Sequence, residues 1–445
     1  MRIIHGAGEA RDTVLRRLPL EAQQLPASIR EEIRRVFGAE LDAEAVVERI
    51  LRDVREEGDA AVLRYNEDVD GVHGDLSTIS LEVSREEVEA AYSQVEPSLV
   101  EALRHAAERI RSFHERQLDH SLRSFDEDGV GQMVRPLQRV GLYIPGTKVA
   151  YPSTVLMTAV PARVAGVAEV IMVTPALEDA TVAPIKLVAG DIAGVDRVFR
   201  AGGVQGIAAM AYGTETVPRV DKICGPGGIF VTLAKKKLYG EVGIDGLFGP
   251  SETLLIADGD AEPSVVAADL LAGAEHDELA TAILITTSEE LARAVVEQAQ
   301  AQLGEMKRAA TAESSLEAHG GVVVVDSLEE ALSLANEFAP EHLCLHVKGA
   351  ENLLGGVRNA GCVFLGASSA ESMGDYIVGP SHVLPTGGSA AYASALGVHD
   401  FLKVTSVVRL AWETAREIGP AAAAIAWAEG LTGHARAIER RLRGE

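Results

Sequence analysis

The chain has 445 residues, with 41 Lys and Arg against 66 Asp and Glu, a formal net charge of -25. Such an excess of acid, with aromatic residues at only 4%, excludes a general nucleic-acid grip, which needs clustered basic side chains and rings for stacking. Hydrophobic residues at 47% and charged ones at 24% describe a globular protein, and at about 150 residues per domain the length suggests roughly three units or two large ones.

Three cysteines, Cys224, Cys344 and Cys362, are too few and too far apart for a disulfide framework, which fits a reducing, cytoplasmic setting. The N-terminus, MRIIHGAGEARDTVLRR, carries charges every few residues and no apolar segment, unlike a secretory signal. The longest apolar stretch, Val155 to Val173, is broken by Pro161, Arg163 and Glu169, so no membrane span is expected.

From Pro26 to about Leu118 apolar residues recur at helical spacing, as in AEAVVERILRDVREEG and SLVEALRHAAERIRSF. Ser84 with Glu87 reads as a capping box, and Pro97 stands where a first helical turn accepts it. Between Arg139 and Pro250 the texture changes to short Val- and Ile-rich runs, RVGLYIP, EVIMVTP, DRVFRAGG and RVDKICGPGG, separated by helical stretches long enough to cross over. A second series follows, with ETLLIAD, TAILITTS, GVVVVDS, HLCLHV and CVFLG as strands and a further capping box at Ser327 and Glu330. Strands alternating with helices predict an α/β protein with two parallel sheets covered on both faces. Residues 366–397 read as one long loop, which inside a compact protein is functional or disordered; its His and Asp content favours function. The chain closes in helices through AWETAREIG and PAAAAIAWAEG, where the Arg run, matched by Glu439 and Glu445, reads as a solvated face.

Two glycine turns, Gly202-Gly203 and Gly225-Pro226-Gly227-Gly228, stand between a strand and a helix. Each is either a tight turn or a cradle of N–H groups for a phosphate; neither fits the full dinucleotide fingerprint. Glu341-His342 opens the strand HLCLHV and suits a general acid/base pair. Adjacent strand residues point to opposite faces, however, so a structural pair with one member solvated is the other reading. His276, Asp375, His382 and His434 are metal-type ligands, a His and carboxylate set suited to zinc, but their spacing forms no local motif and each also reads as an ordinary loop or helix-end residue.

Taken together, VGLYIPG, AYPSTVLM, GIAAMAYGTETVPRVDKI, GPSETLLIAD, DLLAGAEHD, FAPEHL, MGDYIVGPSHVLPT and LTGHARAIERR resemble the histidinol dehydrogenase family, in order and over nearly the whole chain. The resemblance implies two Rossmann-like parallel-sheet domains with a helical N-terminal region and a C-terminal helical tail. The expected division is an N-terminal helical arm at 1–36, a discontinuous α/β domain at 37–142 with 251–396, an NAD-binding domain at 143–250, and a tail at 397–445. It further implies NAD-dependent oxidation of an amino alcohol through the aldehyde to the carboxylate, with bound zinc holding the substrate. His342 corresponds to the general base and Glu341 to its partner in activating water. His276, Asp375 and His434 match the zinc ligands; these three, with Ser251, His342, His382 and Glu429, make up the substrate pocket. Tyr143, Gln205 and Gly228 match cofactor positions. Glu429 and His434 lie on a tail that in the family reaches the partner subunit, which implies a homodimer with shared active sites.

Three positions depart from the family. Gly273 stands where a glutamine ligand is expected, Gly228 where an asparagine follows Gly-Pro-Gly, and Gly246-Leu247-Phe248 where Pro-Ala precedes Gly-Pro-Ser-Glu. These changes make an NAD-dependent dehydrogenase of another small polar alcohol, such as an amino alcohol or a sulfonated diol, the alternative to histidinol. A binding protein that has lost catalysis is opposed by the intact Glu341, His342, Asp375, His382 and His434.

Overall fold

The strands Glu252–Ala257 and His342–His346 are buried along their whole length and pair in parallel, as strands covered on both faces of a sheet do. The computed structural model describes residues 1–17, 27–73, 80–146 and 149–443. It resolves into two compact units, Met1–Asp119 with Leu137–Phe401, and His120–Pro136 with Leu402–Glu445. Pro26, where the helical reading begins, and Glu445 lie outside the described residues. No helix among the described residues is long and apolar enough to cross a membrane.

The first unit holds both expected sheets. Six parallel strands lie in the order Ile3–His5, Gly321–Val324, Thr281–Thr286, Glu252–Ala257, His342–His346 and Cys362–Leu365. Side chains alternate between its faces: Leu254, Ile256, Leu343 and Leu345 pack with Leu334 and Phe338 on one side, and Leu255, Leu284 and Cys344 pack with Val266, Leu270 and Val295 on the other. Five parallel strands form the second sheet, in the order Arg197–Arg200, Glu169–Thr174, Arg139–Tyr143, Lys222–Cys224 and Gly243–Ile244.

The division of the chain follows packing rather than the expected boundaries. Ile3–His5, within the segment read as a helical arm, is an edge strand of the six-stranded sheet. The helices Ala43–Glu57 and Asp59–Asp68 bury Val46, Val47, Ile50 and Val62 in one cluster with Phe199, Ala208 and Ile223, so they side with the five-stranded sheet and not with residues 251–396. A cut after residue 142 would sever Tyr143 from its own strand. The box at Ser84 and Glu87 is complete, whereas at Ser327 only half forms: its hydroxyl accepts from Glu330 N–H, but the Glu330 carboxylate caps Asp326 N–H instead. Residues 366–397 contain the short helix Glu371–Tyr376 and a single 3-10 turn at Ser389–Ala391 within otherwise irregular chain.

The second unit has an antiparallel sheet with Val130–Pro136 between Leu402–Val408 and Phe125–Glu127, followed by the helices Trp412–Ala428 and Thr432–Arg443. The strand Leu402–Val408 corrects the purely helical reading of the tail; its residues are almost all exposed, so no buried face marks it in the sequence. The two helices are tied by Trp427 Nε1–H donating to Glu439 at 2.9 Å and by Leu442 packed within 3.2 Å of where a side chain at Gly419 would begin.

Candidate active site

The turn that carries Glu341 and His342 follows helix Leu328–Phe338, which ends on Ala339 in the left-handed conformation. The strand begins at His342, so Glu341 lies ahead of the pleat and escapes its alternation. Both side chains therefore converge, with Glu341 Oε2 3.7 Å from His342 Nδ1 and bonded at 2.9 Å by Glu252 N–H. The sequence objection to the pair is thereby removed.

His342 is buried, and neither ring nitrogen has a hydrogen-bond partner. Three carboxylates surround it: Glu341, Glu371 with Oε1 3.5 Å from Nδ1, and Asp375 with Oδ1 3.7 Å from Nε2. Glu371 and Asp375 lie one turn apart on helix Glu371–Tyr376, a spacing that places both on the same face. Glu371 accepts from the Thr253 hydroxyl at 2.8 Å, and Glu252 pairs with Arg17 at 2.8 Å. Glu371, Glu252 and Thr253 were not among the residues expected in the site. The i, i+4 relation of Glu371 to Asp375 is the signal that points to the first of them.

Burial dominates the acidities here, because an ionised group loses its hydration and must be compensated by neighbours. It lifts Glu341 to about 8 and Glu371 and Glu252 to about 7. Burial also opposes the His342 imidazolium, but Glu371, Glu341 and Asp375 outweigh it and hold the ring well above the ordinary histidine value. Burial would raise Asp375 too, yet His342 draws it below the usual carboxylate range. These groups exchange protons as one coupled cluster.

The other expected residues fall into three places. His382, kept below its ordinary pKa by burial, gives its Nδ1–H to the Asp375 carbonyl at 2.8 Å and receives the Thr154 hydroxyl on Nε2 at 3.1 Å. Just past helix Pro263–Ala274, His276 is an exposed residue, and desolvation by the protein around it lowers its pKa against the pull of Asp375. Ser251 immediately precedes Glu252 at the start of the central strand. Glu429 and His434 are exposed residues of the second unit. Among the described residues no three His, Cys, Asp or Glu side chains gather into a metal-holding group.

The cofactor candidates gather on the five-stranded sheet. Arg139–Tyr143 is flanked by Glu169–Thr174 on one side and Lys222–Cys224 on the other, so the strand order reverses beside Tyr143 and the glycine turn at 225–228, the crevice where open α/β sheets bind ligands. Tyr143 accepts the Gly203 N–H on its hydroxyl at 3.0 Å. Gln205 is fully buried, donates to Asp70 at 2.9 Å, and leaves its Oε1 unpartnered. Gly228 caps helix Ile229–Leu238 with open space where a side chain would project. Phe248 lies with its ring 4.6 Å from Lys235 Nζ.

Two groups of residues, one built for proton transfer and one at a nucleotide-type crevice, describe an α/β dehydrogenase. A profile of the histidinol dehydrogenase family matches residues 34–442. The histidinol dehydrogenase of Moorella thermoacetica is 51% identical over 423 residues, 94% of this chain and 99% of its own length. That of Deinococcus radiodurans is 48% identical over 446 residues, 100% of both chains. The crystal structure of histidinol dehydrogenase from Elizabethkingia anophelis has a TM-score of 0.89 at 33% identity, covering 100% of this chain and 98% of that one. With a match of this extent in sequence and in fold, the chain belongs to the histidinol dehydrogenase family.

Proposed function

We propose that this chain oxidises L-histidinol through histidinal to L-histidine, a four-electron reaction that passes two hydrides to NAD and serves histidine biosynthesis in the cytoplasm. The observation that carries the reading is the His342 imidazole, buried with both nitrogens free and ringed by Glu341, Glu371 and Asp375. In its neutral form, with the cluster's proton resting on a neighbouring carboxyl, a ring so placed takes the alcohol proton in the first oxidation. With Glu341, it takes a proton from water as the aldehyde is hydrated before the second. Glu341 and Glu371, poised near neutrality, share the protons that His342 collects.

NAD, when bound, accepts the hydride of each oxidation. Tyr143, Gln205 and Gly228 are the residues we assign to it, supported by the unpartnered Gln205 Oε1 and by the strand reversal beside Tyr143. Zinc fits one chain only in part. His276 and Asp375 are available, Gly273 has no donor, and His434 belongs to the other compact unit. We assign zinc to His276 and Asp375 with the partner subunit's His434, and no step above runs through it.

A homodimer is supported by the second unit, which exposes Val404, Val408, Trp412, Ile418, Ile425 and Trp427, large apolar side chains of the kind that mark an interaction surface when they cluster. In such a dimer Glu429 and His434 would complete the partner's substrate pocket beside Ser251 and His382.

The test is NADH formation with L-histidinol on zinc-loaded protein, followed to NADH per substrate consumed. Two NADH per histidinol support the reading. An inert histidinol, in folded protein that binds NAD and zinc, moves the substrate to another small polar alcohol.

A further inference from the structure

Thr253 and His342 are directly paired in register on neighbouring parallel strands, so their side chains leave the sheet on the same face. The Thr253 hydroxyl donates to Glu371 Oε1 at 2.8 Å, and that same oxygen lies 3.5 Å from His342 Nδ1. All three side chains are buried. On the other flank of Thr253 is Gly273, in helix Pro263–Ala274, and a Cβ built there would collide with Thr253 Oγ1 and come within 2.8 Å of its Cβ. Thr253 is β-branched, fully buried and on a central strand, so it cannot swing aside. The space beside Gly273 is thus already occupied by the group that fixes Glu371.

We propose that Thr253 is a positioning residue for the acid/base cluster: its hydroxyl holds Glu371 against His342 and so orients the imidazole, and Gly273 is its obligatory complement. The bare glycine and the threonine are one coupled feature rather than a lost ligand beside an unrelated polar residue. A carboxylate fixed at Nδ1 sets the ring plane and directs Nε2 toward Asp375; without its hydroxyl anchor, Glu371 turns away and the ring is held less firmly.

The kinetic arm rests on the proposed oxidation, and the packing arm does not. Thr253→Val keeps the shape and removes the hydroxyl, and Thr253→Ser restores it. The expected result is a fall in kcat of about tenfold to a hundredfold for Thr253→Val with KM for the alcohol little changed, and recovery of most of that loss in Thr253→Ser. Equal rates for the native protein and Thr253→Val, or equal impairment in both variants, would overturn the positioning role. For packing, alanine in place of glycine inside a helix ordinarily stabilises. Here Gly273→Ala is expected to lower Tm by a few degrees, and Thr253→Ala in the same chain to recover part of it. A Gly273→Ala protein as stable as the native one would overturn the complementarity, whether or not the enzyme turns over histidinol.

Discussion

Lys235 and Asp245 form a buried ion pair that grips one residue from both sides: Lys235 Nζ donates to the Gly225 carbonyl at 3.1 Å, and Asp245 accepts the Gly225 N–H at 2.6 Å. Gly225 has φ of 117°, and a side chain there would strike the Tyr143 carbonyl, so glycine is required. The pair thereby fixes the turn that runs into Gly228 and holds it against the end of the strand bearing Tyr143.

Removing one partner of such a pair strands the other in the core. Lys235→Met should cost about 3–5 kcal/mol in unfolding free energy, and adding Asp245→Asn should restore part of it. At temperatures where the single variant stays folded, a looser turn raises KM for NAD more than it lowers kcat. Denaturant titration and steady-state kinetics check the two effects, and an unchanged KM for NAD would detach the clamp from the cofactor.

Asp70 is a second handle on the cofactor side. Burial lifts its carboxyl to about 7, although Gly202 N–H and the Gln205 amide both favour the ionised form. The folded pKa lies above the unfolded value of 3.8, so the folded state binds the extra proton. Stability from this group is then full below about pH 4 and falls as pH rises to about 7, by up to about 4 kcal/mol for a three-unit shift. Asp70→Asn should flatten that part of the Tm profile between about pH 4 and pH 8 and raise Tm at the alkaline end. A profile that declines as in the native protein would place the titration elsewhere.

Gly228 invites the opposite of the clash at Gly273. Its φ of -66° suits any residue, and nothing lies within 4 Å of a built side chain. As the residue before helix Ile229–Leu238 it also occupies an N-cap, where asparagine is at least as good as glycine. Gly228→Asn should leave Tm level or slightly higher and lower KM for NAD several-fold by adding a polar contact. A fall in Tm would show that the space beside Gly228 does not accept a side chain, and no change in KM that it faces away from the cofactor.

The parallel strands were legible because burial on both faces writes a continuous apolar run into the sequence, as in Leu254 to Ala257 and Ala282 to Ile285. Leu402–Val408 and Val130–Pro136 were not, since the exposed and half-buried strands of a small antiparallel sheet carry no such run. Ile3–His5 is too short to show a period. Within the site, His342 with Glu341 stood out as a local pair, and the fold removed the objection from alternation by starting the strand one residue later. Glu371 and Thr253 meet His342 only because two strands and a distant helix converge there, and Asp70 reaches Gln205 across 135 residues of chain. Such partnerships belong to topology, and composition and spacing do not contain them.

If Glu429 and His434 complete the partner's site, each dimer has two sites, and each site takes His342 from one chain and His434 from the other. His342→Gln and His434→Ala should each be nearly inactive as homodimers, the first by about two to four orders of magnitude. When the two are mixed and allowed to exchange subunits, half of the dimers are mixed. In a mixed dimer one site collects both lesions and the other collects neither, so about a quarter of native activity should return. Histidinol oxidation measured before and after exchange reads this directly. No recovery, in a preparation shown to contain mixed dimers, would confine His434 to its own chain and leave His276 and Asp375 to find their remaining zinc donors elsewhere.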